Sequence, residues 1–239
     1  MVPTQTCYKY RAINDYLMET LEKGTIYFAQ RDELNDPYDC NISMPKAVHR
    51  MMTYCNDVKK LEVLFNLMPD NGQWTNVDSM ISRMGIATFS QTLNETLMWA
   101  HYADNHKGVA LIFNFPATWY ANRRNFTIAG NVVYKDNPIS DWLIDEVSVD
   151  EKYHRLFLLH VIDRLLLSKA PAWHYEQEFR IISPKVGAYE FPKDSLKGVY
   201  FGLNTPDDDE KMIREIVEKN YTNVTFGRIQ RTIDDYGIV

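Results

Sequence analysis

The sequence predicts an α+β fold, a mixed and largely antiparallel sheet with flanking helices. Strand-like runs are scattered among helical segments of unequal length, without the regular βα alternation that a doubly wound parallel sheet needs. Of the 239 residues, 45% are hydrophobic and 13% aromatic, enough apolar surface to offset the chain entropy of folding. No composition break, internal repeat or low-complexity segment divides the chain, so one domain over residues 1–239 is expected, with a helical insertion at about 45–84.

The first element is a short strand, Tyr8 to Arg11, followed by a helix whose apolar residues Ile13, Leu17 and Leu21 recur every four positions until Gly24 closes it. A strand, Thr25 to Ala29, and the turn-rich Leu34-Asn35-Asp36-Pro37 come next. Residues Pro45 to Met84 have helical character, interrupted near Pro69 to Gly72. Strand character resumes at Ile86 to Ser90, and a helix is expected from Thr96 to Asp104 ahead of a strand from Val109 to Phe115.

A further strand is expected from Phe126 to Tyr134, and one helical segment from roughly Ile139 to Lys169, ended by Pro171. Strands Glu178 to Ser183, Ala188 to Phe191 and Gly198 to Leu203 follow. The last helix has Thr205 as its cap, Pro206 at its first position and the acidic run Asp207 to Glu210 against its positive end. A strand from Val224 to Gln230 closes the fold.

A formal charge of −6 argues against non-specific coating of nucleic acid, though it leaves room for a local basic patch. The opening MVPTQTCYKYR lacks an apolar signal core, and the most apolar late stretch, Leu156 to Leu167, is broken by His160, Asp163 and Arg164, so neither secretion nor a membrane span is expected. Cys7, Cys40 and Cys55 are odd in number and lack CxxC spacing, which fits a reducing cytoplasm.

Four clusters concentrate polar and aromatic groups: Tyr8 to Arg11, Leu34 to Asp39, Met98 to Gly108 and Trp173 to Arg180. In the second, Asn35 and Asp36 can bond nearby backbone while Pro37 fixes the chain, a role that needs no ligand. In the third, Trp99, His101 and Tyr102 could wall a planar ligand, or Trp99 and Tyr102 simply fill the core. His101 and His106 are five apart, which does not align them on one helical face, and no third ligand has a telling spacing, so no metal is predicted. In the fourth, Glu176 and Glu178 would face one side of an extended backbone, fitting either general-base work or a solvated surface pair balanced by Arg180 and Lys185.

The ordered set YKYR, LNDPYDC, FS, MWAHYADNHKG and YEQEFRI resembles a bacterial family known as domain-of-unknown-function 2971, over nearly the whole chain. A second resemblance is to ADP-ribosyltransferases of the arginine, serine, glutamate class, which bind NAD in a cleft of a split, mixed sheet. It implies that Arg11 supports the dinucleotide, that Thr88-Phe89-Ser90 stands for the serine motif, with Phe89 in place of its usual small middle residue, and that Glu176-Gln177-Glu178 stands for the glutamate motif. It further implies that Glu178 stabilises an oxocarbenium-like centre and Glu176 orients or deprotonates the acceptor. Tyr10, Ser90, Trp99, His101, Tyr102 and Asn35 would complete the nucleotide site.

The resemblance thus implies NAD as co-substrate and a protein or nucleic-acid acceptor, with toxin or phage-defence roles among those such enzymes serve. Two other readings stand beside it. One is a nucleic-acid-processing or nucleotide-binding protein that uses Arg11, Lys107, Arg123, Arg124 and Arg180 on phosphate. The other is a non-catalytic interaction module. Fingerprints of Rossmann, P-loop and G-x-S-x-G enzymes are absent from the sequence.

Overall fold

The run Val109 to Phe115 is apolar on both faces but for Asn114, as suits a strand covered on both sides, and in the computed structural model it lies inside a seven-stranded sheet. The structure describes residues 5–68, 71–122, 125–126, 128–147, 156–232 and 237–238. In chain order it forms β1 (Gln5–Arg11), α1 (Asp15–Lys23), β2 (Thr25–Phe28), α2 (Met44–Tyr54), α3 (Val58–Leu67), α4 (Asn71–Ile81), β3 (Gly85–Ser90), α5 (Thr96–Tyr102), β4 (Val109–Phe115), α6 (Ala117–Tyr120), β5 (Ile128–Asn131) and β6 (Val133–Tyr134). There follow α7 (Pro138–Asp141), a π-helical turn (Trp142–Glu146), α8 (Phe157–Leu166), β7 (Ser168–Lys169), a 3-10 helix (Pro171–Glu176), β8 (Glu178–Ser183), β9 (Gly187–Glu190), β10 (Leu196–Phe201), α9 (Asp207–Asn220) and β11 (Thr225–Arg228).

These elements belong to two compact units, one made of Met1–Ala29, Gly85–Asn131 and Tyr175–Val239, the other of Gln30–Met84 and Val132–His174. In the first unit the sheet runs in the order β11-β10-β4-β1-β3-β8-β5. Its neighbours are antiparallel except β10 and β11, so the fold is α+β with a mixed, largely antiparallel sheet, as expected. On one face Cys7, Phe89, Leu111, Phe113, Phe179 and Ile181 pack with Leu17 and Leu21 of α1 and Ile213 and Val217 of α9. The other face brings Tyr10 and Ala110 against Met98 and Trp99 of α5.

The middle of this sheet is split. β1 and β4 are in register from Gln5 opposite Phe115 to Arg11 opposite Val109, whereas β1 meets β3 at the pair Tyr8 and Ser90. The same edge of β3 is bridged at its other end by Ala29, which exchanges two backbone hydrogen bonds with Ile86. Between Ser90 and Ile86 the Thr88 carbonyl points to that edge without a strand partner, and the Lys9 ammonium supplies the bond at 2.6 Å.

The second unit holds α2, α3, α4, α7 and α8 and the parallel pair β6 and β7. Met51, Leu64, Ile139, Leu143, Val161 and Leu166 are among its buried residues. The helical stretch expected at 45–84 lies here as three separate helices, together with residues of Val132–His174.

Three expectations change. The single strand expected from Phe126 to Tyr134 is two short strands in different sheets, β5 beside β8 and β6 beside β7. The helical segment expected from Ile139 to Lys169 is α7, the π-helical turn and α8, and Lys169 lies in β7, with 148–155 outside the described residues. Thr205 does not cap α9: its hydroxyl donates to the Gly108 carbonyl, and Pro206 takes the cap position.

Candidate functional site

The site grows from the start of β8. Alternation puts Phe179 and Ile181 in the apolar face behind α1 and α9, so Glu178 and Arg180 project from the opposite face. Arg180 closes on Glu178 with Nε at 2.8 Å from one carboxylate oxygen and Nη2 at 3.1 Å from the other. Both are buried, Arg180 at 0% and Glu178 at 4% exposure. The surface pair balanced by Arg180 is therefore not what forms: Arg180 is Glu178's partner, but inside the protein, where a charge must be paired and hydrogen-bonded.

Glu176 is also buried, at 2% exposure, and reaches the site by a different route. It ends the 3-10 helix, and Gln177 follows with φ of 44°, a left-handed conformation that turns the chain into β8. The two glutamates thus do not share one extended backbone, as the sequence suggested. The Tyr102 hydroxyl, from α5, donates a short hydrogen bond to the Glu176 carboxylate. Burial, that hydrogen bond and the charges of Glu176 and Glu178 hold the Tyr102 phenol far above its usual range, so it stays a proton donor. Tyr102 is the point on which both carboxylates act.

Three predicted residues turn out to hold one loop. The Ser90 hydroxyl donates to the Thr92 carbonyl at 3.2 Å and accepts from its N–H at 3.1 Å, the Tyr10 hydroxyl donates to the same carbonyl at 2.8 Å, and the Trp99 indole donates to the Leu93 carbonyl at 2.8 Å. Trp99 is fully buried, edge-on to Tyr10, which leaves its ring no open face for a ligand. The choice left open for Trp99 falls to the core. Ser90 lies opposite Glu178 in the register, so these anchors fix the strand edge beside the carboxylate.

Lys9 and Arg11 occupy the split edge of β1. By alternation they share the row of Cys7, not that of Tyr8 and Tyr10. Burial first, then repulsion from Arg11, holds the Lys9 ammonium well below its usual range, while Glu178 and Cys7 pull it back up. Burial also lowers Arg11, which forms no ion pair among the described residues. His101 is exposed, its ring 6.2 Å from that of half-buried Tyr175. Asn35 is an exposed residue of the second unit.

The reading of Arg180 as a phosphate contact does not survive its burial, and Arg123 and Arg124 lie outside the described residues. Sequence reasoning missed the role of Lys9. The YKYR motif was its only signal, since a lysine filling a gap in a strand ladder has no periodicity of its own. Among the described residues no three His, Cys, Asp or Glu side chains group as metal ligands would, and no helix is long and apolar enough to cross a membrane.

Residues 98–181 match a known family model. Its description is Protein of unknown function (DUF2971), and the matched stretch holds both the Met98 to Gly108 and the Tyr175 to Ile181 motifs. The resemblance read from those motifs is shown over that stretch. No curated protein matches the chain. Two solved structures are similar to it: Thermus sp. 2.9 DarT in complex with ADP-ribosylated ssDNA, and the same protein in complex with NAD+. Each is 9% identical with a TM-score of 0.39, over 95% of this chain and 94% or 96% of the other.

Proposed function

We propose that this chain consumes NAD and transfers its ADP-ribose to a protein or nucleic-acid acceptor. The observation that carries the reading is the pair of buried carboxylates in two different environments at the start of β8. Two carboxylates with different partners, a guanidinium for one and a phenol for the other, are suited to two roles in one reaction.

Glu178, with the Arg180 guanidinium on both oxygens, is fixed in direction. A carboxylate fixed in this way is a negative charge that can face developing positive charge. That charge arises at the ribose carbon as the nicotinamide bond breaks, and a preorganised carboxylate stabilises it without reorganising. Glu176, oriented by Tyr102, is the group that takes the acceptor's proton. With Trp99 in the core, half-buried Tyr175 and exposed His101 are candidate rings for contact with a base or nicotinamide.

The test is transfer of label. The full chain is incubated with NAD labelled in its adenylate part, in the presence of a cell protein extract or of single-stranded DNA, and the macromolecules are separated from free nucleotide. Label in either fraction, lost with Glu176→Gln, is the expected result. Nicotinamide release without label on any acceptor would cut the reading back to a glycohydrolase, and neither release nor label would refute it.

A further inference from the structure

The second unit contains a cleft of about 290 Å³ that the transferase reading does not use, with room for a single aromatic ring. Met44, Val77, Ile81 and Leu165 line it with buried apolar side chains, and half-buried Trp74 adds an aromatic ring. Walls of this composition suit an apolar, flat ligand.

Among the described lining residues Arg31 carries the one positive charge and Asp78 the one negative charge, while Cys40, Asn41 and Thr75 are polar but uncharged. The Arg31 side chain is 14% exposed. Its Nη1 donates to the Asp78 carboxylate at 2.6 Å, whereas Nε is buried and has no hydrogen-bond partner among the described residues. The Asp32 carboxylate lies 3.7 Å from Nε, beyond hydrogen-bond reach, so it adds charge without a bond. A desolvated donor left unpaired is costly, and a guanidinium presents its donors in a fixed planar fork.

We propose that this cleft binds a flat, neutral aromatic compound bearing a carbonyl oxygen, with that oxygen accepting from Arg31. The charges around the guanidinium decide against ionic ligands. A carboxylate ligand would meet Asp78 and Asp32, which already offset Arg31, and a cationic ligand would meet the guanidinium itself. A neutral carbonyl brings the acceptor that Nε lacks and adds no charge, while the apolar walls take the ring. A ring without an acceptor would leave Nε unpaired. The site stands independently of the transferase reading, since all its residues belong to the second unit, and either can fail alone.

The experiment is ligand-observed saturation-transfer NMR on the full chain with acetophenone at about 1 mM, a range suited to the weak binding of so small a ligand. Wild type should give transfer to acetophenone. Toluene, the same ring without the oxygen, should bind ~10-fold more weakly, because a site that bonds an acceptor rejects the analogue without it. Benzoate, which adds a negative charge, should bind several-fold more weakly than acetophenone. Arg31→Lys keeps a cation for Asp78, which is 63% exposed, so it should melt close to wild type, yet without the guanidinium fork it should bind acetophenone several-fold more weakly. Asp78→Asn leaves an amide oxygen for Nη1 and removes a negative charge, so benzoate should gain several-fold on acetophenone. No transfer to acetophenone in wild type, toluene or benzoate bound as tightly, unchanged affinity in a folded Arg31→Lys, or no gain for benzoate in Asp78→Asn would each overturn the proposal.

Discussion

Arg180 forms two hydrogen bonds with the carboxylate of Glu178, two residues back on the same strand, and both side chains are buried. Residues two apart on a strand share a face, so β8 itself aligns the pair. Removing one partner leaves the other charge in the protein interior. Arg180→Met should therefore destabilise the fold by about 3–5 kcal/mol, and the double change with Glu178→Leu should recover much of the loss. Denaturant unfolding of the wild type and these two variants measures it.

Lys9 fills the gap between two strand pairings, and its ammonium is held well below the usual lysine range by burial and by Arg11. A base whose folded pKa lies below its unfolded one leaves the unfolded chain binding more protons between the two values, so stability rises with pH across that window. Lys9→Met lacks this contribution. The wild type should accordingly gain on the variant as pH rises towards the unfolded lysine value of about 10.4. Unfolding free energies of both proteins across the alkaline range check the sign, and a gap that narrows with pH would contradict it.

Gly202 packs on the left-handed run Asp104, Asn105 and His106, whose φ angles are 45°, 53° and 66°. A Cβ at Gly202 would collide with the His106 carbonyl, which is already held by the Asn204 N–H at 2.9 Å. Gly202→Ala should cost about 3 kcal/mol, since backbone cannot move aside as a flexible side chain would. A thermal melt indistinguishable from wild type would disprove the contact.

Much of the fold was legible because it rests on periodicity and caps. Leu17 and Leu21 with Gly24 mark α1, Val109 to Phe115 marks β4, and Glu178 to Ser183 marks β8, all where they were expected. The motif Met98 to Gly108 was legible as a motif but not as a turn. Asp, Asn and His are the side chains that best tolerate left-handed backbone, and here three in a row use it. Less legible was the link between the two glutamates, because Gln177 gives no sign of the positive φ that redirects the chain. The burial of Arg180 was hidden too, since charged clusters are usually solvated and only the strand's position inside the sheet makes this one internal. Trp99 was undecidable from sequence, as core and stacking aromatics have the same composition around them.

Ser168 is buried, and its hydroxyl has no hydrogen-bond partner among the described residues. Replacing it by alanine removes a desolvated polar group, so Ser168→Ala should match or exceed wild-type stability, by about 1 kcal/mol at most. A drop in melting temperature would mean that the hydroxyl is satisfied within the folded chain.

The central claim is that Glu178 acts on a substrate and is not only Arg180's partner. The measurement that tests it most directly is nicotinamide release from NAD by the wild type, Glu178→Gln and the charge-retaining Glu178→Asp, each first shown to be folded by its thermal melt. The wild type should release nicotinamide, Glu178→Gln should lose about 10²-fold or more, and Glu178→Asp should lose less, as expected when a preorganised charge is removed or displaced. A folded Glu178→Gln that releases nicotinamide as fast as the wild type, or a wild type that releases none, would contradict it.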